Sequence, residues 1–217
     1  MHSPEEPEHA MLQAQLLRYA EDLQQVLDHE RSMESRFQEL DQLAHYDALT
    51  GLPNRLLLHR RLEALLTPSR RPQDFFTLMF VDLDGFKKIN DTLGHAVGDQ
   101  VLKTVAQRLQ AMVRDSDTVA RLGGDEFVII ARSLSGGSAI TAFCEKTIAN
   151  VCQPMQANGQ PLAVGISLGC AEYPRHGDCA NALLEHADAS MYQAKMAGGS
   201  GFAIFDNETT ENSQGNM

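Results

Sequence analysis

The segment Arg121-Leu122-Gly123-Gly124-Asp125-Glu126-Phe127 constrains this chain more than any other, because it sets two adjacent carboxylates at a glycine turn between two apolar runs. Thr118-Val119-Ala120-Arg121-Leu122 before it and Phe127-Val128-Ile129-Ile130-Ala131 after it read as strands. Gly-Gly between such runs signals a tight hairpin, whose positive φ values suit glycine. A hairpin makes its strands antiparallel, so the sheet is of the α+β kind rather than a doubly wound parallel one. Asp125 and Glu126 then sit close to the hairpin tip. In isolation the tetrapeptide is equally a solvated turn, since turns favour these residues, and other segments must decide.

Upstream, Phe75-Phe76-Thr77-Leu78-Met79-Phe80-Val81 has the length of a buried strand and ends in Asp82-Leu83-Asp84-Gly85. Two carboxylates at a strand's carboxyl end suit a hard cation. Mg²⁺ takes oxygen ligands and is usually held by one or two carboxylates plus substrate phosphates. Asp82 meeting Asp125 across neighbouring strands would make a nucleotide-metal site, with both side chains facing a solvent-side metal. Lys87, Asn90, His95 and Asp99 lie between the two segments.

The remaining chain reads as helix 54–66, strand 75–82, a short helix near 86–92, helix 98–113, strand 117–122, strand 127–132, helix 137–152, strand 162–172, helix 179–197 and strand 201–205. A length of 217 residues with 43% hydrophobic content permits a sizeable core. The first 46 residues carry ten acidic and three basic side chains, a net of −7 out of −11, which marks them as a separate segment. Such an acidic balance argues against general nucleic-acid binding, which needs clustered Lys and Arg. Cys144, Cys152, Cys170 and Cys179 show no C-x-x-C spacing and read as reduced thiols, so the expected compartment is cytoplasmic. No apolar run approaches the ~18 residues of a membrane helix, and no membrane segment is expected.

Within the acidic segment, Leu12, Leu16, Tyr19, Leu23, Val26, Glu30, Met33, Phe37, Leu40 and Ala44 alternate spacings of four and three. That is a heptad seam, interrupted by charge only at Glu30, and it predicts a coiled coil joining two copies of the chain. An amphipathic helix folded on its own domain is the alternative. The expected organisation is a disordered N-terminus over 1–10, a coiled-coil stalk over 11–45, a domain over 46–206 and a disordered tail over 207–217.

These segments together resemble the GGDEF family, the diguanylate cyclases that join two GTP molecules into cyclic di-GMP. Besides Gly123-Gly124-Asp125-Glu126-Phe127, the family's opening segment stands as Asp47-Ala48-Leu49-Thr50-Gly51-Leu52-Pro53-Asn54-Arg55. Its metal and guanine segment stands as Asp82 through Asp91, with Gly94-His95 and Gly98-Asp99, and its closing helix as Ala187 through Lys195. The resemblance covers roughly residues 45 to 206. It implies a ferredoxin-like nucleotidyl-cyclase palm, a mostly antiparallel sheet flanked by helices.

The resemblance also implies roles. Asp82, Asp125 and the backbone carbonyl of Leu83 would ligate Mg²⁺ or Mn²⁺, and Asp125 or Glu126 is the candidate base for the attacking hydroxyl. Lys87 would stabilise charge in the transition state. Asn90, His95 and Asp99 would bind the nucleotide, and Asp99 can accept from the N1–H and amino group of guanine. Gly123 and Gly124 would let the backbone approach the phosphates, and Lys195 would bind phosphate. Many members place an arginine four residues after that lysine, where this chain has Gly199, so one phosphate contact is expected to be missing. Arg114-Asp115-Ser116-Asp117 supplies the family's inhibitory R-x-x-D, at which cyclic di-GMP would bind through Arg114 and Asp117. The rival readings are a catalytically silent module that senses GTP or cyclic di-GMP, and a protein that is chiefly a coiled-coil adaptor. Intact Asp82, Gly123, Gly124, Asp125 and Glu126 favour an enzyme that works as a homodimer.

Overall fold

The computed structural model describes residues 5–67 and 75–206, and it divides the chain into two units, residues 1–44 and 45–217. Helix α1 (Glu5–His45) makes up the first. It begins at Glu5, so residues 5–10 are helical where disorder was expected. Pro7 falls in the first turn, where its missing N–H leaves no hydrogen bond unmade. Residues 1–4 and the expected tail over 207–217 lie outside the described residues, and so do the side chains of Leu12 and Leu16. Among the described residues no helix is long and apolar enough to cross a membrane.

In the second unit, α2 (Arg55–Leu66) starts at Asn54, whose side chain accepts from the Leu57 N–H at 3.1 Å, an ordinary N-cap. Then follow β1 (Phe76–Asp84), α3 (Phe86–Leu93), α4 (His95–Met112), β2 (Thr118–Gly123), β3 (Glu126–Arg132) and α5 (Gly137–Val151). The chain closes with β4 (Met155–Ala157), β5 (Gln160–Leu162), β6 (Gly165–Tyr173), α6 (Ala180–Met196) and β7 (Phe202–Ile204). The main sheet runs β2-β3-β1-β6-β7. All its pairs are antiparallel except β6 with β7. The result is a mixed α+β sheet with helices on both faces.

Strand alternation sorts the core into two layers. Phe76, Leu78 and Phe80 of β1 share one cluster with Leu58 and Leu62 of α2 and Leu183, Ala187 and Met191 of α6. Met79, Val81 and Leu83 share the other with Val101, Val105 and Leu109 of α4 and Ile140 of α5. Helix α6 lies so close to β6 that a Cβ at Gly169 would collide with the Ala187 carbonyl and the Met191 amide. A methyl group there has no room against backbone.

One expectation needs correction. The strand expected over 162–172 is two objects: β6 starts at Gly165, and Leu162 belongs to a small separate hairpin, β4–β5. Its turn is Asn158-Gly159, both with positive φ (49° and 74°), and Asn-Gly is the dipeptide that two-residue hairpins favour most. The apolar content of 162–172 hid a turn signal four residues upstream.

Candidate active site

The carboxylates gather because of strand register. Asp82 of β1 pairs directly with Glu126 of β3. Each is an even number of residues from the apolar positions that face α2 and α6 (Phe80 on β1, Val128 on β3), so both side chains stand on that face. Gly123 pairs with Glu126, which leaves Gly124 and Asp125 as the two-residue loop. Gly123 (φ 146°) and Gly124 (φ 52°) occupy the region that only glycine enters freely. The β1–β3 ladder ends at Asp82, while the β1–β6 ladder continues to Asp84. The last two residues of β1 therefore have one edge without a strand partner, beside the hairpin.

Like charges directly opposite on a sheet face repel, and two cations lie close to these. Lys195 of α6 places its ammonium 2.5 Å from Asp82 Oδ1, and Arg55 of α2 reaches to 3.9 Å from Glu126. Oδ1 of Asp82 is buried, and the Lys195 ammonium is the charge that faces it. Asp82 is only 7% exposed, a correction to the expectation that it faces solvent. Burial raises its pKa above the usual carboxylate value, the charges of Asp125 and Glu126 add to that rise, and Lys195 opposes it. A buried carboxylate oxygen left in this state is a site suited to a cation. Among the described residues no group of three or more His, Cys, Asp or Glu side chains is gathered as a ready metal site.

Asp84 is otherwise engaged. Its Oδ1 accepts from Ser167 Oγ at 2.7 Å and its Oδ2 from the Ser200 N–H at 2.7 Å and Ser200 Oγ at 3.2 Å. Of the two carboxylates that end β1, Asp84 ties the α6–β7 loop to the sheet and Asp82 faces Lys195. Gly199 stands in that loop with φ 71°, where an arginine would be strained and its Cβ would stand 3.1 Å from the Asp84 carboxylate.

Helices α3 and α4 meet at Gly94 and carry the remaining candidates. The Asn90 side chain lies against Gly98, and Asp99 follows it, exposed. Lys87 is exposed on α3, and His95, also exposed, is the first residue of α4, one helical turn before Asp99. Among the described residues, no hydrogen bond or ion pair links these four to Asp82 or Asp125. The structure thus makes two clusters, one of carboxylates on the sheet and one of polar groups on α3–α4.

Arg114 and Asp117 precede β2, at the opposite end from Gly123. Asp117 Oδ2 accepts from the Arg114 N–H at 3.0 Å, and Oδ1 accepts from the Arg132 N–H at 2.9 Å. The carboxylate is thereby spent on backbone, while the exposed Arg114 guanidinium has no hydrogen-bond or ion-pair partner among the described residues. A cavity of about 250 Å³ opens there, lined by Tyr46, Pro53, Arg61, Arg114 and Asp117 among others.

Two groups at the site escaped the sequence reading. Arg121 of β2 is hydrogen-bonded both to the turn carbonyl of Gly124 and to Asp47 in the opening segment. Desolvation opposes ionisation of Asp47, but Thr50 and Arg121 outweigh it and hold the carboxyl below its usual range. Arg55 reaches Glu126 from the same opening segment. The signal was an acidic residue in a short loop segment and an arginine in an otherwise apolar strand, too distant in sequence for any local pattern to join.

The family model described as diguanylate cyclase, GGDEF domain, matches residues 44–201. The bifunctional diguanylate cyclase/cyclic di-GMP phosphodiesterase MucR of Pseudomonas aeruginosa is 43% identical over 176 residues, 81% of this chain and 26% of MucR. The chain thus spans about a quarter of that relative. The isolated GGDEF domain of TpbB from P. aeruginosa superposes with a TM-score of 0.74 at 37% identity, covering 78% of this chain and 99% of that one. The coiled coil and GGDEF domain of DgcB from Caulobacter crescentus, solved with c-di-GMP, gives 0.73 at 25% identity, covering 89% and 98%. With that family model matching residues 44–201, this chain belongs to the GGDEF-domain family of diguanylate cyclases.

Proposed function

We propose that this chain condenses two GTP molecules into cyclic di-GMP as a homodimer, each subunit presenting one nucleotide. The observation that carries this reading is Asp82: a buried carboxylate facing the Lys195 ammonium, opposite Glu126 and beside the turn that bears Asp125. Asp82, Asp125 and the Leu83 carbonyl would hold Mg²⁺ or Mn²⁺. When bound, that cation neutralises the triphosphate and acidifies a nearby hydroxyl.

The chain's own groups do the rest. The 3′ hydroxyl of one nucleotide attacks the α-phosphorus of the other in line, a P–O bond forms as pyrophosphate leaves, and the step repeats to close the ring. Asp125 or Glu126 takes the hydroxyl proton; their shared turn gives both access. Gly123 and Gly124 admit the phosphates without side-chain collision. Lys195, with a side chain 34% exposed, has the freedom to move from Asp82 to phosphate. Lys87 offsets charge that develops on the transferring group. Asn90 and Asp99 read the guanine edge, and His95 flanks them. Adenine lacks the N1–H donor and leaves Asp99 unpaired, so GTP is preferred over ATP. In a competition assay Asp99→Ser should narrow that preference; equal use of GTP and ATP by the unaltered protein contradicts the assignment.

The exposed seam of α1 supports pairing with a second copy. Tyr19, Leu23, Val26, Met33, Phe37 and Leu40 all lie open to solvent, Phe37 at 72%. A long apolar stripe of this kind is suited to a second helix. Product binding at Arg114 would act at a distance from the catalytic turn. Inhibition then requires the product to prefer a dimer with its half-sites apart.

A further inference from the structure

The catalytic turn contains two consecutive glycines, and glycine has the most conformational freedom to lose on folding. Something must hold it. The β2–β3 register shifts between Arg121 and Gly123, so the ladder alone does not.

Arg121 supplies the missing restraint. Its Nε and Nη2 donate to the Gly124 carbonyl at 3.1 and 2.7 Å. Its Nη1 donates to both oxygens of Asp47, at 2.9 and 3.0 Å. Asp47 is fixed in turn: Thr50 donates to it from Oγ1 at 2.6 Å and from its N–H at 2.9 Å. The Arg121 N–H donates to the Pro53 carbonyl at 2.9 Å, so the opening segment also grips the backbone of the same residue. The Arg121 side chain is only 11% exposed. Charge-assisted bonds from a rigid planar fork, screened little by water, are the strong kind.

The consequence follows from peptide geometry. The Gly124 carbonyl and the Asp125 N–H belong to one planar, trans unit, so they point in opposite directions. Holding the carbonyl toward Arg121 therefore aims the Asp125 N–H to the opposite side.

We propose that Arg121, braced by Asp47, is a positioning residue for the catalytic turn, setting the Gly124–Asp125 peptide so that its N–H serves as an anion donor beside the Asp125 carboxylate. Neither residue is a catalytic one; each acts through the turn. The purpose of the Asp47–Arg55 segment is then to buttress the hairpin, with Arg55 adding a contact to Glu126. The benefit for catalysis rests on the cyclase reading; the mechanical part does not.

The test uses the full chain as wild type, Arg121→Lys, Asp47→Asn and the double variant. Lysine keeps the charge but lacks the rigid fork whose separate nitrogens bond Gly124 and Asp47 at once. With GTP and Mg²⁺, kcat/KM should fall at least tenfold in Arg121→Lys and severalfold in Asp47→Asn, and the double variant should be no worse than Arg121→Lys alone. Amide hydrogen exchange at 122–126 should quicken about tenfold in both single variants while β1 and β6 keep their protection. Arg121→Lys within twofold of wild type, losses that multiply in the double variant, or unchanged exchange at the turn would each overturn the proposal. A wild-type chain that makes no cyclic product counts against the cyclase reading, and the exchange data then decide the clamp without it.

Discussion

Gly98→Ala should separate function from stability. A Cβ built at Gly98 lands on the side-chain oxygen of Asn90 and stands 3.2 Å from the ring of Phe86. The position is inside α4 with ordinary helical φ, so alanine itself is welcome there and gains about 0.8–1.0 kcal/mol of helix propensity. The obstacle is the far end of a flexible side chain, and the cheapest relief is to rotate the Asn90 amide away, at roughly 0.5–1.5 kcal/mol. These two effects nearly cancel, so unfolding free energy should stay within about 1 kcal/mol of wild type. For a chain of this size that is a Tm change of about 2–4 °C. The hydrogen bond proposed from Asn90 to the base would be lost, worth roughly 1–1.4 kcal/mol, so kcat/KM for GTP should fall about five- to tenfold. Initial rates of pyrophosphate release across a GTP series, beside thermal melts, measure both. Adding Asn90→Ala to Gly98→Ala should then cost little more. Wild-type kcat/KM in Gly98→Ala refutes the reasoning, and so does a loss of activity that merely follows a large drop in Tm.

Asp82→Asn should abolish product formation yet raise the stability of the ligand-free protein, because burial and the charges of Asp125 and Glu126 disfavour the charged form; a lower urea midpoint at neutral pH contradicts this. Deleting residues 1–43 should leave a largely monomeric protein whose specific activity falls on dilution, which sedimentation and dilution assays would show; concentration-independent activity counts against the stalk. Arg114→Ala should keep turnover and lose inhibition by added cyclic di-GMP, whereas unchanged, GTP-competitive inhibition reduces the R-x-x-D turn to a connector. Burial depresses the His176 pKa below its ordinary 6.5, with Arg175 adding to the shift, and its Nδ1 accepts from the Glu172 N–H at 3.0 Å. Below 6.5 the unfolded chain binds the extra proton first, so stability should fall as pH drops through that window and be fully present above it; a His176→Gln variant with the same pH slope refutes that attribution.

Local pattern carried the fold a long way. The Gly123-Gly124 turn and the apolar run ending at Asp82 were readable because each signal is contiguous, and the hairpin fixed the antiparallel core. The β4–β5 hairpin was missed because its strands have three residues each and merge by composition into β6. The sequence singled out Asp82 of the β1 pair, and only the fold shows Ser167 and Ser200 claiming Asp84. Arg121 and Asp47 are 74 positions apart, and a salt bridge over that distance leaves no periodic trace. What sequence conveyed was chemistry at turns, and what it withheld was which polar side chains are consumed in holding those turns still.

The central claim is most directly tested by incubating the purified chain with GTP and Mg²⁺ and resolving nucleotides by chromatography with mass detection, alongside a pyrophosphate assay. The account predicts cyclic di-GMP, two pyrophosphates released for each, and none of either from Asp125→Ala. Unconsumed GTP, or GDP and phosphate in place of the cyclic product, would contradict it.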